Sequence, residues 1–201
     1  MDEKIAAVLE AYHERMRHEN DSRGRGGRDW SDGALLAVGP DSGQLINILA
    51  RSLKAPNILE LGTSYGYSGI WLAEAARAAG GRLTTIEIAD HKSAYAHDMS
   101  AKAGLAEYVD FKVGDALEII AQLAFKLDFV LVDLWKDLYT PCLDAFYPKL
   151  NPGAIVVADN MIFPGGEDVE RYARAVRAKP KMTSICVPVG SGLEISRFAA
   201  D

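Results

Sequence analysis

The feature that most constrains the fold is a regular alternation of short apolar runs with amphipathic helical patterns along most of the chain. Seven runs have the length and apolar content of buried strands, at residues 58–61, 83–88, 109–113, 127–132, 154–158, 183–187 and 193–198. Helical spacing of apolar residues predicts helices between them, at residues 67–79, 90–103, 116–124, 137–150 and 169–178. Parallel strands need such crossovers, and crossovers cover both faces of a sheet, so the pattern predicts a doubly wound α/β fold.

The last two predicted strands indicate how this sheet closes. Only residues 188–192 join them, which is long enough for a hairpin and too short for a crossover. One of the two strands must therefore run antiparallel. The expected architecture is a mostly parallel seven-stranded sheet with one closing antiparallel strand.

The chain before the first strand contains two further amphipathic patterns, at residues 3–19 and 43–53, which predict helices. Between them lies a Gly/Arg-rich segment, residues 21–28, which belongs to a run of five arginines: Arg15, Arg17, Arg23, Arg25 and Arg28. Two interpretations stay open, a solvated loop or a basic lid over an anionic substrate. We treat residues 1–201 as a single domain, with residues 1–35 as its N-terminal helix and basic loop.

Composition excludes several classes of protein. The 201 residues are 49% hydrophobic and 25% charged, as in an ordinary globular domain. The net charge of −6 argues against a nucleic-acid partner, and the apolar runs are too short to span a membrane. The start Met1-Asp2-Glu3-Lys4 lacks the basic and apolar parts of a signal peptide, and two cysteines are too few for a disulfide scaffold. We therefore expect a cytoplasmic protein, and a homodimer stays open.

A glycine turn follows the first predicted strand. The sequence Glu60-Leu-Gly62-Thr-Ser-Tyr-Gly66 leads from this strand into a helix. Its glycines allow a tight turn and a close approach of ligand to main chain, and the amides at the helix start favour an anionic group. The spacing Gly-x-x-x-Gly differs from the dinucleotide pattern Gly-x-Gly-x-x-Gly, so a carboxylate fits better here than a pyrophosphate.

An acidic residue, Glu87, lies near the end of the second predicted strand. A carboxylate at this position can accept both hydroxyls of a ribose in proteins of this topology. Taken with the glycine turn, Glu87 predicts a ligand that contains adenosine.

Side chains with oxygen atoms follow two later strands. Asp133 comes directly after strand 127–132, and Asp159 and Asn160 come after strand 154–158. If these strands are adjacent and parallel, about 4.8 Å apart, the two carboxylates meet at one edge of the sheet. A divalent cation would relieve their repulsion, and two carboxylates with one amide oxygen suit Mg²⁺. The alternative is that one aspartate caps a helix and the other forms a salt bridge.

Three motifs together resemble one family. The run Asp133-Leu-Trp-Lys136-Asp-Leu-Tyr139, the glycine turn before it and the sequence Ala-Asp159-Asn160 after it resemble the catechol O-methyltransferases and the related caffeoyl-coenzyme A O-methyltransferases. The resemblance covers roughly residues 36 to 198. It implies a Rossmann-like methyltransferase fold, S-adenosyl-L-methionine as methyl donor, a divalent cation, and a small aromatic substrate with vicinal hydroxyl groups.

The resemblance also implies roles for individual residues. Asp133, Asp159 and Asn160 would hold the metal, and Lys136 would be the general base. The positions that match the surroundings of the methyl donor are Val38, Gly39, Glu60, Gly62, Ser64, Ser68, Glu87, Ile88, Asp115, Ala116, Asp133 and Trp135. Leu134 stands where the animal enzymes carry histidine, so the resemblance specifies the reaction more closely than the substrate.

Two alternative functions stay open. A nicotinamide-dependent oxidoreductase could use a similar fold, although the third glycine of its fingerprint is missing. A non-catalytic protein could keep the cofactor pocket for sensing or assembly, although Lys136 and the full set of metal ligands argue against it.

Overall fold

The computed structural model describes residues 2–23 and 33–199. The strands are β1 Asn57–Leu61, β2 Arg82–Glu87, β3 Val109–Val113, β4 Leu127–Val132, β5 Leu150–Ala158, β6 Met182–Val187 and β7 Leu193–Phe198. The α-helices are α1 Glu3–Arg23, α2 Pro40–Arg51, α3 Tyr67–Ala79, α4 Asp90–Lys102, α5 Ala116–Gln122, α6 Tyr139–Phe146 and α7 Glu167–Ala178. Within these ranges, no helix is both long and apolar enough to cross a membrane.

The seven strands form one sheet with the order β3-β2-β1-β4-β5-β7-β6. All neighbouring strands are parallel except at β7, which runs antiparallel to both β5 and β6. The predicted doubly wound sheet with one closing antiparallel strand is confirmed. The chain order reverses between β1 and β4, and in open sheets of this kind ligands bind at the carboxyl ends of the strands beside such a reversal.

The hydrophobic core lies in two layers, one on each face of the sheet. Alternate residues of one strand serve different layers, because successive side chains of a strand point to opposite faces. Ile58 belongs to the layer that contains Tyr12 of α1 and Ile70 of α3, whereas its neighbour Leu59 packs with Phe146 of α6. Burial on both faces fixes the register of the sheet and therefore the positions of the residues that follow each strand.

The region between β4 and β5 differs from the sequence prediction. The apolar spacing predicts a single helix over residues 137–150, but α6 ends at Phe146, a 3₁₀ turn covers Tyr147–Lys149, and β5 begins at Leu150. Pro148 explains the difference, because proline has no amide hydrogen for the helix and its ring clashes with the preceding turn. The prediction is wrong for residues 147–150.

Helix α1 extends to Arg23, so the predicted loop is wrong for residues 21–23, and three of the five arginines of the basic run lie in this helix. Two of these three contact acidic side chains. Arg15 Nε donates to Glu19 Oε1 at 3.0 Å, and Arg17 Nη2 donates to Glu10 Oε1 at 2.6 Å. Residues 24–28, which contain Arg25 and Arg28, lie outside the described residues. The basic-lid interpretation of this segment stays a prediction.

Candidate active site

A cavity of about 420 Å³ opens at the carboxyl edge of the sheet, where β1, β2 and β4 end. Its volume is in the range that holds a small organic ligand. The residues singled out from the sequence that line it are Gly62, Ser64, Ser68, Glu87, Ile88, Asp115, Ala116, Asp133, Trp135, Lys136 and Asn160. The structure therefore brings separate segments of the chain, from Gly62 to Asn160, to one concave surface.

Four of the selected residues do not line this cavity. Val38 is buried in the core, and the preceding residues Leu35, Leu36 and Ala37 contribute the wall instead. Gly39 caps the start of α2. Glu60 and Asp159 are buried behind the surface, with 0% and 1% of their area exposed.

The sequence prediction missed several residues that line the cavity. One of them, Lys92, lies in the first turn of α4, close behind the strand that carries Glu87. Because Lys92 follows β2 so closely in the sequence, it could have been predicted to lie at the same edge of the sheet as Glu87. The cavity-lining residues 35–37 carry no such signal, because no periodic pattern or charge marks them.

The glycine turn is shaped by contacts with β2 and β4. Gly62 has a φ of 97°, and a Cβ there would overlap the carbonyl oxygen of Asp133. The amides of Gly62 and Thr63 both donate to the carbonyl of Ile86, at 3.0 and 3.1 Å. Glycine is required by this close approach. The same bonds occupy two of the turn's amides, which are then not free to receive an anionic ligand.

The carboxylate of Glu87 is held by backbone amides. Oε2 accepts from the amide of Ser64 at 2.7 Å, and Oε1 accepts from the amides of Ile88 and Ala89, each at 3.1 Å. A carboxylate has about four acceptor positions, so these three bonds leave capacity for a ligand hydroxyl. Glu87 is thus fixed at the cavity wall as an acceptor.

Glu60 is the most unusual acid near the cavity. It is fully buried, Thr85 Oγ1 donates to its Oε2 at 2.6 Å, and its Oε1 has no hydrogen-bond partner. Burial raises the pKa of Glu60 to about 7. Thr85 in turn forms a hydrogen bond with Thr63, which lines the cavity. This arrangement connects an incompletely bonded carboxyl group to the cavity through two hydroxyls.

The opposite side of the cavity carries a cluster of charged and polar groups. Lys136 Nζ donates to Asn160 Oδ1 at 2.6 Å, to Tyr139 Oη at 2.7 Å and to the carbonyl of Leu134 at 3.2 Å. Asp133 Oδ1 lies 3.4 Å from the same nitrogen. Oxygens from the ends of β4 and β5 therefore face one positive charge.

Tyr139 positions this lysine. Its hydroxyl donates to the carbonyl of Asp159 at 3.1 Å and accepts from Lys136. Burial raises the pKa of Tyr139 well above its usual value, and the charges of Asp133 and Asp159 act in the same direction. The phenol therefore stays protonated and holds the ammonium group near the strand ends.

The residues selected as metal ligands have a suitable donor chemistry. Val132 and Ala158 pair across β4 and β5, so Asp133 and Asp159 occupy equivalent positions one residue further on. Within residues 2–23 and 33–199, no cluster of three or more His, Cys, Asp or Glu side chains is arranged to hold a metal. The predicted ligand set has only two carboxylates and takes its third oxygen from the amide of Asn160, and such hard oxygen donors fit Mg²⁺.

Exposed apolar side chains lie beside this cluster. Trp135 is 62% exposed and Phe163 is 57% exposed, and Ile162 is exposed to a similar extent. Asn160 Nδ2 donates to the carbonyl of Phe163 at 3.4 Å, and Pro164 lines the cavity. A large apolar surface next to a polar cluster is typical of a binding site for a partly apolar ligand.

The fold and the site together define a class, that of doubly wound α/β proteins with a ligand-sized cavity at the strand reversal. The particular family is shown by comparison with known proteins. The model of the O-methyltransferase family matches residues 28–197, and the chain belongs to this family.

Curated relatives and a solved structure agree with this assignment. The catechol O-methyltransferase of Niastella koreensis is 37% identical over 134 residues, which are 65% of this chain and 60% of the relative. That of Bos taurus is 34% identical over 154 residues, which are 73% of this chain and 55% of the relative. The chain thus spans little more than half the length of these relatives.

The solved structure is that of the O-methyltransferase TomG from Streptomyces achromogenes, involved in tomaymycin synthesis, in complex with S-adenosylmethionine. It is 28% identical, with a TM-score of 0.79, and the alignment covers 100% of this chain and 91% of TomG.

Proposed function

We propose that this protein is an S-adenosylmethionine-dependent O-methyltransferase. Its substrate would be a small aromatic molecule with vicinal hydroxyl groups, and it would require a divalent cation, for which Mg²⁺ is the best candidate. The observation that carries the proposal is the cluster of Asp133, Lys136 and Asn160 at one wall of a cavity whose other wall carries Glu87. Membership of the O-methyltransferase family and the donor bound to TomG support it.

The methyl donor would bind along the β1 and β2 side of the cavity. Glu87 is a fixed acceptor for the ribose hydroxyls, and Ser64 and Ser68 border the space for the methionine portion. The unpartnered Oε1 of Glu60 fits a ligand that brings a donor of its own, such as the amino group of methionine. Ile88, Asp115, Ala116 and Trp135 stay predicted contacts of the adenine.

The cation would be held by Asp133, Asp159 and Asn160. When bound, the cation supplies stabilisation of negative charge on the substrate oxygen, and the donor supplies an electrophilic methyl group. Lys136 would accept the hydroxyl proton at Nζ as the general base. Tyr139 and the carbonyl of Leu134 keep that nitrogen at the cavity wall. The exposed apolar side chains of Ile162 and Phe163 would orient an aromatic ring and exclude water.

Methyl transfer from labelled S-adenosylmethionine to catechols, caffeoyl esters and flavonoids tests this proposal. We expect transfer to at least one class in the presence of Mg²⁺, loss of transfer in excess chelator, and recovery when Mg²⁺ is restored. Full activity in excess chelator would remove the metal from the proposal. If S-adenosylhomocysteine does not bind in calorimetry and NAD does, the protein is instead an oxidoreductase.

The role of Lys136 is tested by Lys136→Met. General-base catalysis contributes about 10²- to 10⁴-fold, so we expect kcat to fall by at least about 100-fold while the affinity for S-adenosylhomocysteine is retained. Lys126→Met is a matched control, because Lys126 Nζ donates to the carbonyl of Pro148 at the other end of β4. An unchanged kcat in the Lys136 variant would show that another group takes the proton.

A further inference from the structure

One face of helix α1 lies against the glycine turn. Tyr12 Oη donates to the carbonyl of Tyr65 at 2.6 Å, and His13 Nε2 forms a hydrogen bond with Tyr67 Oη at 2.9 Å. The guanidinium carbon of Arg15 lies 4.3 Å from the ring centroid of Tyr65, within the range of a cation–π interaction. Side chains of α1 therefore contact the backbone and the ring of Tyr65 in the turn, and the hydroxyl of Tyr67 at the start of α3.

The same helix also binds the segment 33–37, of which Leu35, Leu36 and Ala37 line the cavity. Arg15 Nη2 donates to the carbonyl of Gly33 at 2.6 Å, while Arg15 Nε donates to Glu19 Oε1 at 3.0 Å. Glu19 Oε2 accepts from the amide of Leu35 at 3.3 Å. Arg15 and Glu19, four residues apart on one helix face, thus bind two backbone groups of the segment 33–37.

The peptide groups of Leu35 link this segment to the glycine turn. The amide of Leu35 is bound by Glu19, and its carbonyl accepts from Ser64 Oγ at 3.2 Å. Ser64 is also the residue whose amide donates to Glu87. Because Tyr65 follows Ser64 and contacts Arg15, the interactions form a closed circuit from α1 through Leu35 and the turn back to α1.

The segment needs this support to keep its shape. Leu36 has a φ of 46°, a left-handed conformation that is unfavourable for a residue with a Cβ. Leu35, Leu36 and Ala37 nevertheless line the cavity. A strained segment at a cavity wall keeps its position only if its neighbours fix it, and here Arg15, Glu19 and Ser64 do so.

We propose that Arg15 and Glu19 are positioning residues for the methyl donor, because they hold the segment 33–37 against the glycine turn and so preform one wall of its cavity. This inference rests on the proposed function for the identity of the ligand. Neither residue lines the cavity, so each acts through Leu35 and its neighbours. Loss of either would weaken donor binding, because binding would then have to order the segment, and would leave the chemical step unchanged at saturating donor.

The test compares Arg15→Gln, Glu19→Gln and the conservative Arg15→Lys with the control Arg17→Gln. Arg17 lies on the same helix and pairs with Glu10, and both side chains are more than half exposed, at 59% and 56%. The measurements are the Kd of S-adenosylhomocysteine, KM for each substrate, kcat, and thermal unfolding without ligand.

For Arg15→Gln and Glu19→Gln we expect the Kd and the KM for the donor to rise about tenfold, the size of effect that loss of a charged hydrogen bond produces. The kcat and the KM for the aromatic substrate should stay at wild-type values. Arg15→Lys keeps the charge but not the planar fork, so it should restore part of the affinity. Arg17→Gln should bind as the wild type does.

Three results separate the proposals. If the wild type binds no S-adenosylhomocysteine, the proposed function fails. If the wild type binds it and the Arg15 and Glu19 variants bind equally well, the positioning role is overturned. If these variants lower kcat and raise both KM values in step with a loss of thermal stability, the pair is only structural, and the inference is overturned as well. Should Arg15→Gln not fold, Glu19→Gln, which keeps the side-chain shape, decides the question.

Discussion

Glu60 and Glu194 are two fully buried acids in the same sheet, and their surroundings differ sharply. Glu194, on β7, accepts from Arg177 Nε at 2.8 Å and Nη2 at 2.7 Å, and Ser184 Oγ also donates to it. Glu60, on β1, has Thr85 as donor to one oxygen and no partner for the other. Burial raises the pKa of Glu60 to about 7.

The contrast distinguishes two uses of a buried carboxyl group. Burial of a charge is costly unless a partner and hydrogen bonds compensate for it. The fold itself compensates Glu194 through Arg177, and neither residue lines the cavity. Glu60 is left incompletely satisfied next to the cavity, which is expected where a bound ligand supplies the missing donor.

Of the substitutions that test this difference between the two acids, Glu60→Gln should have the largest effect on ligand affinity. We expect the affinity for S-adenosylhomocysteine to fall about 100-fold, because a buried charge-assisted hydrogen bond to the amino group of the ligand is lost. The stability of the ligand-free protein should not decrease. Calorimetry measures the first quantity and urea unfolding the second. Glu74→Gln is the control, since Glu74 of α3 is also a buried acid but accepts a hydrogen bond from Asn47 of α2 and does not line the cavity.

The pH dependence of unfolding gives a second readout of the same variant. The folded pKa of Glu60, about 7, lies above its ordinary value of 4.5, so between these pH values the folded state keeps a proton that the unfolded state releases. This group's stabilising effect is complete below about pH 4.5 and is lost as the pH rises through about 7, at no more than about 1.4 kcal/mol per pH unit. Glu60→Gln should therefore gain stability relative to the wild type across this window. A constant difference would show that Glu60 is ionised throughout.

A smaller effect is expected for Arg177→Met. The substitution leaves Glu194 buried with Ser184 as its remaining side-chain donor, and we expect the free energy of unfolding to fall by about 1–2 kcal/mol. The value is below that of a fully buried pair because the Arg177 side chain is 50% exposed. Donor affinity should stay unchanged. Arg174→Met, one turn earlier on α7, is the control, since its pair with Glu170 is exposed on both sides. If the Arg177 and Glu60 variants lost equal affinity for the methyl donor, the proposed difference between Glu194 as a structural acid and Glu60 as a ligand-binding acid would be wrong.

Much of the sheet and of its carboxyl edge could be predicted from the sequence. Strands and the residues that follow them are marked by local patterns, so Glu87, Asp133 and Asn160 could be placed at one edge from the order of residues alone. The position of Glu60 before the glycine turn singles it out, but the lack of a hydrogen-bond partner for its Oε1 depends on how the folded strands pack around it. That missing partner is a property of the folded state alone.

The rest of the site depends on contacts between distant parts of the chain. The wall formed by residues 35–37 is fixed by bonds from Glu19 and Ser64, which are 16 and 29 residues from Leu35. No periodicity or turn motif encodes such bonds. The early end of α6 is a different case, because Pro148 is visible in the sequence and its effect on the helix outweighs the apolar spacing around it.

The contact between Gly62 and the carbonyl of Asp133 makes the two halves of the cavity floor mechanically one piece. A shift of the β4 end would move the glycine turn with it, so the spacing between the two sides of the cavity cannot be adjusted by altering either half alone. Under the proposed function, changes in substrate range would then arise in the exposed rim, at Ile162 and Phe163, whose side chains extend into solvent.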